Sequence, residues 1–214
     1  GLVALYPFRP DFYHRMGFGY GVKMNRYSFR PEALPNAGRG ATVDFLGQAH
    51  REEIAACYER YLERTNGLIA MPSYLLDALL NDTSSRIVGY REDGRLRGYA
   101  VFRFEPAPGD NWLVNNILLR NLIYNDTAAL MALLGFLRKQ ADQVARILYD
   151  TQDETFQYLL SDPRDGSGKL LAGLWHQTNT QGTGIMYRVI DVTALFRALA
   201  DHDFGGVSAR VRFN

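Results

Sequence analysis

Cysteine is nearly absent: Cys57 is the single one in 214 residues. A disulfide within the chain is therefore excluded, and a reducing, cytoplasmic setting is expected. Long apolar runs are missing too. None approaches the roughly 18 residues that a membrane-crossing helix needs, so no membrane partner is expected. Neither sign of charge dominates: 24 Lys and Arg stand against 23 Asp and Glu, a net +1. That removes any global electrostatic argument for nucleic acid. Histidine is scarce, and His14, His50, His176 and His202 stand singly without metal-ligand spacing, so no metal is expected. What is present is ordinary for a globular protein, 47% hydrophobic and 22% charged. The length suits one medium domain, or one domain plus pieces of others.

The first thirty residues are basic. Arg9, Arg15, Lys23, Arg26 and Arg30 face only Asp11, but interleaved glycines and aromatics fit a helix-to-strand connection with a solvated face better than a nucleic-acid surface. No signal peptide is read there, because "LYPFRPDFYHRMGFGYG" has no continuous apolar core. Arg30–Gly40, "RPEALPNAGRG", reads as a linker. Ile54, Cys57, Tyr58, Tyr61 and Leu62 recur at helical spacing within a helix predicted from about Gln48 to Arg64. Cys57 is expected to pack there rather than act as a nucleophile. A shorter helix is predicted with Ser73 as its cap. Asp93-Gly94 separates two apolar strands as a hairpin turn. A third strand follows, then a helix capped by Asp126 or Thr127, a strand at "ILYDT" and a short helix at "DETFQYLLSD". "GIMYRVIDVTALFRAL" gives a strand and a helix from about Val192, with another strand beginning near the end. The prediction is an α/β fold, with residues 36–185 forming one compact mixed sheet carrying helices on both faces.

The skeleton Tyr13-x-x-x-Gly17-Phe18 in "FYHRMGFGYG" resembles the last conserved turn of the GNAT acetyltransferases, where a helix ending in Tyr-x-x-x-Gly-Phe/Tyr leads into a final strand. With "ALYPFRPDFYHRMGFGYG" before "KMNRYSFRPEALP", it looks like the close of the first domain in one subfamily, the enhanced-intracellular-survival (Eis-type) acetyltransferases. "LLRNLIYNDTAALMALLGFLRKQADQVARILYDTQDETFQYLLSDPRDG" resembles their second, degenerate GNAT-like domain, and "GIMYRVIDVTALFRAL" the opening of their sterol-carrier-like third domain. The resemblance implies three parts: 1–34 as the end of a first GNAT domain, 35–185 as the second domain, and 186–214 as the start of the third. It also implies acetyl-CoA as co-substrate, a small-molecule primary amine as acceptor and a homo-oligomer. Tyr13 inherits the role of general acid, protonating the departing thiolate; a phenol, titrating in general near 10, is a donor at neutral pH. The alternative for Tyr13 is one more packing aromatic beside Phe8, Phe12 and Phe18. For the chain as a whole, it is a non-catalytic scaffold or oligomerisation module.

The cofactor loop of that family, Arg/Gln-x-x-Gly-x-Gly/Ala between a strand and a helix, is expected upstream of Gly1. Within the chain, Arg95, Gly98 and Ala100 match it formally, but they run on into strand-like "VFRFE". The corresponding loop of the second domain, "YNDTA", lacks glycine and carries Asp126, which would repel a phosphate. "GSGKL" (Gly166–Leu170) lacks the spacing of a nucleotide loop and reads as a surface turn. Trp175 and His176 read as part of a packed loop. The C-terminal carboxylate serves as base in the family, and Asn214 is not expected to inherit that role.

Overall fold

The computed structural model describes residues 1–36, 42–109, 113–203, 205–207 and 210. In chain order the elements are β1 (Leu2–Leu5), α1 (Pro10–Arg15), β2 (Gly19–Tyr20), β3 (Met24–Phe29), β4 (Asp44–Leu46), α2 (Arg51–Leu62) and α3 (Ser73–Asn81). Then come β5 (Arg86–Glu92), β6 (Arg95–Pro106), β7 (Asn115–Tyr124), α4 (Thr127–Arg138) and β8 (Val144–Thr151). The chain continues through β9 (Leu170–Leu171), β10 (Trp175–His176), β11 (Asn179–Gly182), β12 (Met186–Val189) and α5 (Val192–Ala198).

The chain divides into two compact units, Asn25–Gln181 and Gly1–Met24 with Gly182–Asn214. In the larger, a seven-stranded sheet has the order β11-β3-β8-β7-β6-β5-β4. Two-residue periodicity along β6 explains how it is held. Ala100 and Phe102 join the core that α4 covers with Leu133, Leu134 and Leu137. Tyr99 and Val101 face the other way, into the core with Ile54, Cys57 and Leu76 of α2 and α3. Helices therefore lie on both faces, as predicted, and the central strands read as apolar runs because neither face is wet. Between Val101 and Phe102 the register to β7 jumps from Asn121 to Leu119. Arg120 is bulged out, which is why Leu119 and Leu122 share one core despite their odd spacing. The β5–β6 turn is the expected hairpin: Asp93 and Gly94 both have positive φ, 51° and 73°.

The strand Met24–Phe29 pairs with β8 through Phe29↔Ile147, so the mixed sheet begins before residue 36. The units divide at Met24/Asn25 and Gln181/Gly182, whereas the boundaries expected from the sequence lie at 34/35 and 185/186. Pro31–Ala33 of the expected linker forms a 3-10 turn with Pro31, Ala33 and Leu34 buried; residues 37–41 lie outside the described residues. Pro72, not Ser73, occupies the cap position of α3, with no side-chain cap bond. The helix expected at "DETFQYLLSD" is a single 3-10 turn, Phe156–Leu159. Phe156 pins it, with ring centroids 5.4, 5.5 and 5.0 Å from Tyr27, Phe29 and Tyr149. α2 begins at Arg51 after a 3-10 turn at Gln48–His50.

The smaller unit holds a three-stranded sheet, β1-β12-β2, with α1 and α5. Most of the strand expected near the end of the chain lies outside the described residues.

Leu134 is fully buried between α4 and the sheet. Leu134→Ala is expected to cost about 2–5 kcal/mol through lost transfer energy and the cavity left behind. The loss is read from the urea midpoint of the chain.

Candidate functional site

Two places carry the residues of interest, one in each unit. The first is α1. Its end is built as a Schellman turn: the Phe18 N–H donates to the Tyr13 carbonyl (3.1 Å) and the Gly17 N–H to the His14 carbonyl (3.0 Å). Gly17 takes φ +84°, the left-handed conformation that closes such a turn. The turn's customary hydrophobic contact is also present, Tyr13 against Phe18 with centroids 5.7 Å apart. The spacing Tyr-x-x-x-Gly-Phe thus has a local physical cause. Phe8 and Phe12 meet the Tyr13 ring edge-on at 5.5 and 5.3 Å. All these contacts use the ring. Among the described residues the Tyr13 hydroxyl has no hydrogen-bond partner, so packing accounts for an aromatic at this position but not for its oxygen.

The second place is the end of β7. β7 and β8 form a parallel pair in the sheet, and their ladder runs from Asn115↔Val144 to Leu119↔Tyr149. β7 continues to Tyr124 without further pairing to β8, so the two strands part at their carboxyl ends. Such a crevice, with a helix starting beside it, is where open α/β sheets bind ligands. Three tyrosines gather: Tyr124, Tyr149 and, from α2, Tyr61, whose ring lies 5.6 Å from that of Tyr124. Burial pushes all three phenols above their ordinary value, so they stay protonated.

The α4 N-terminus is equally engaged. Asp126 caps it, accepting from the Ala129 N–H at 2.8 Å, and its other oxygen accepts from Arg97 Nε at 2.8 Å. Buried Asn125 donates to the Cys57 carbonyl (3.1 Å) and Sγ (3.2 Å), and Arg64 donates to its backbone and side-chain oxygens (2.7 and 2.9 Å). A pyrophosphate here would meet a carboxylate and arginines already committed. The residues present do not fit that group.

The remaining candidates from the sequence fall elsewhere. Arg95, Gly98 and Ala100 lie in β6. A Cβ at Gly98 would stand 2.7 Å from the Ile123 carbonyl and 3.0 Å from Ala129, so this glycine serves helix-on-sheet approach. Cys57 is buried, and burial pushes its thiol up, away from thiolate chemistry. His14 stacks on Tyr20 at 5.8 Å and His50 Nδ1 accepts from the Gly47 N–H. Trp175 and His176 form β10 and are exposed. Among the described residues no group of three or more His, Cys, Asp or Glu stands together as a metal site, and no helix is long and apolar enough to cross a membrane. Sequence reasoning missed the tyrosine cluster, since positions 61, 124 and 149 have no linear pattern.

A family model described as "Acetyltransferase (GNAT) domain" matches residues 62–189, more than half of the chain. No curated protein gives a significant match. Among solved structures, a GCN5-related N-acetyltransferase from Anabaena variabilis ATCC 29413 is similar with TM-score 0.71 and 13% identity, over 89% of this chain and 46% of that one. A GCN5-related N-acetyltransferase from Kribbella flavida follows with 0.66 and 17%, over 90% and 44%. Eis1 from Mycobacterium abscessus gives 0.66 and 20%, over 92% and 49%. The chain therefore spans about half the length of these structures, and the likeness at such identities is one of fold.

Because Cys57 lies on the buried face of α2, against the sheet, a thiol reagent at pH 8 is expected to label fewer than about one chain in ten while folded, and all of them in denaturant. Rapid full labelling of the folded chain would contradict the packing given above.

Proposed function

The chain belongs to the GNAT acetyltransferase domain family, and from that premise we propose that it is part of an Eis-type N-acetyltransferase that moves acetyl from acetyl-CoA to a primary amine of a polyamine, an aminoglycoside-like molecule or a lysine side chain. The proposed organisation is the end of a first GNAT domain (1–34), a second, degenerate one (35–185) and the opening of a sterol-carrier-like domain (186–214). What supports a longer parent is that the similar structures are about twice the length of this chain. In this reading the amine attacks the thioester carbonyl, the tetrahedral intermediate collapses, and the carbon–sulfur bond breaks. Tyr13 gives its proton to the leaving thiolate. The observation that carries the role is the Tyr13 hydroxyl, which the Schellman turn and aromatic cluster leave unused.

A second reading has its own observation. The self-capped α4 N-terminus favours a seven-stranded unit that supports the longer protein without binding acetyl-CoA itself. The two are compatible if the cofactor loop lies upstream of Gly1.

In the longer protein, Tyr13→Phe keeps the ring and removes the donor. It is expected to lower kcat by about 10²–10⁴-fold with KM for acetyl-CoA little changed. Its melting temperature should stay near the parent's. A kcat above about a third of the parental rate would return Tyr13 to a packing role.

The 214-residue chain is expected to produce no binding heat with acetyl-CoA at micromolar concentrations. A micromolar dissociation constant would overturn the supporting role given to residues 35–185.

A further inference from the structure

On the larger unit, a cleft of about 480 Å³ lies between β3, β8 and the segment leading to β10. Its lining includes no residue of β7. Arg146 of β8 forms its floor. This half-buried guanidinium donates only to neutral oxygens: Ser28 Oγ and Ser28 carbonyl, both at 2.7 Å, and the Arg164 carbonyl at 3.3 Å. Among the described residues no carboxylate stands within ion-pair distance of Arg146 or of Arg30, which lines the same cleft. Burial lowers the affinity of Arg146 for its proton, and the charge of Arg30 adds to that. Asp165 and Asp162 offset that only at longer range, so the two guanidiniums share the cleft without a carboxylate paired to either.

The rim supports this assignment. Lys169 projects from the "GSGKL" turn and lines the cleft. Gly166 lies directly on the Arg146 guanidinium, where a Cβ would collide with it, and its φ is +79°. Of the acids in the lining, Asp162 is held by Arg164 at 2.7 Å and Asp165 by the Ser167 N–H and Gln177. Glu32 is the third. With Arg30, Arg146, Arg164 and Lys169 against these three, the cleft keeps one net positive charge.

We propose that this cleft binds a phosphate group carried by a small molecule, drawn by the charge of Arg146, which Ser28 holds in place, with Arg30 and Lys169 supplying the contacts at the rim. Leu171 and Trp175, a cross-strand pair in the exposed β9–β10 hairpin beside the rim, allow the phosphate to come either from a soluble phosphomonoester or from a lipid headgroup. The site does not depend on acetyl transfer.

The test is calorimetry of the whole chain with inorganic phosphate and with glycerol phosphate at low ionic strength. One saturable site is expected for each. The double variant Arg30→Ser/Lys169→Ala, altered only at exposed side chains, should bind about tenfold or more weakly with an unchanged melting temperature. Arg146→Lys, which keeps a charge but drops the paired bonds to Ser28 that hold it at the cleft, should also weaken binding. Absence of saturable heat up to about 10 mM, or full affinity in the double variant, would overturn the proposal. Vesicles of phosphatidylcholine with phosphatidic acid separate the sources. Retention displaced by glycerol phosphate identifies the headgroup, and soluble binding without retention identifies the phosphomonoester. Retention that glycerol phosphate does not displace counts against the cleft.

Discussion

Most of the larger unit follows from one step: β7 and β8 lie side by side and parallel, so α4 must carry the chain back across the sheet between them. A crossover of this kind needs a helix with an apolar face wide enough to lie flat. α4 supplies Ala129, Ala132, Leu133, Leu134 and Leu137, all buried. Covering one face of β6 and β7 in this way leaves the other to α2 and α3, and the two cores follow from the alternation of side chains along the same strands. The ion pairs lie at partly or well exposed positions, from Arg9–Asp11 to Arg164–Asp162, where such pairs are worth little each. Apolar burial holds the sheet.

The same step fixes where chemistry can occur. It sets a helix N-terminus beside the carboxyl end of β7, the natural seat for an anion. In this chain that seat is taken by Asp126, Arg97, Asn125 and Arg64, a network of charge-assisted bonds with members from β6, the turn after α2 and the β7–α4 turn. Such a network rigidifies the junction of α2, β6 and α4 while leaving no cradle for a pyrophosphate. Catalysis, in the proposed reading, falls to the Tyr13 hydroxyl. On that proposal the larger unit supports and the smaller one carries the chemistry.

Much of this fold was legible in the sequence. The Asp93-Gly94 hairpin, the Asp126 cap, the apolar stretches of β6 and β7 and the helix at Val192 are local signals, each written in neighbouring residues. Exceptions have identifiable causes. Ser73 reads as a cap, yet the backbone turns one residue earlier, at Pro72, whose ψ of 153° is extended while its φ of −63° is already helical. Helical spacing in "DETFQYLLSD" yields to Phe156, whose ring is captured by Tyr27, Phe29 and Tyr149 from two strands. Tertiary burial of one aromatic outweighs the modest propensity of a short segment.

The candidate sites divide along the same line. Tyr13, Gly17 and Phe18 could be found in the sequence because a Schellman turn is local, and its hydrogen bonds span only a few residues. The exclusion of "YNDTA" as a phosphate loop could be read there as well, since it rests on a carboxylate next to a helix start. The tyrosine cluster and the Arg30–Arg146 cleft could not. Tyr61, Tyr124 and Tyr149 come from three elements. Arg30 and Arg146 are adjacent only because β3 and β8 pair, from Asn25↔Thr151 to Phe29↔Ile147. The sequence by itself determined which segments become helix, strand and turn, through short-range sterics and hydrogen bonding. Only the tertiary structure decided which distant charges and rings meet, because strand register, a long-range property, sets those distances.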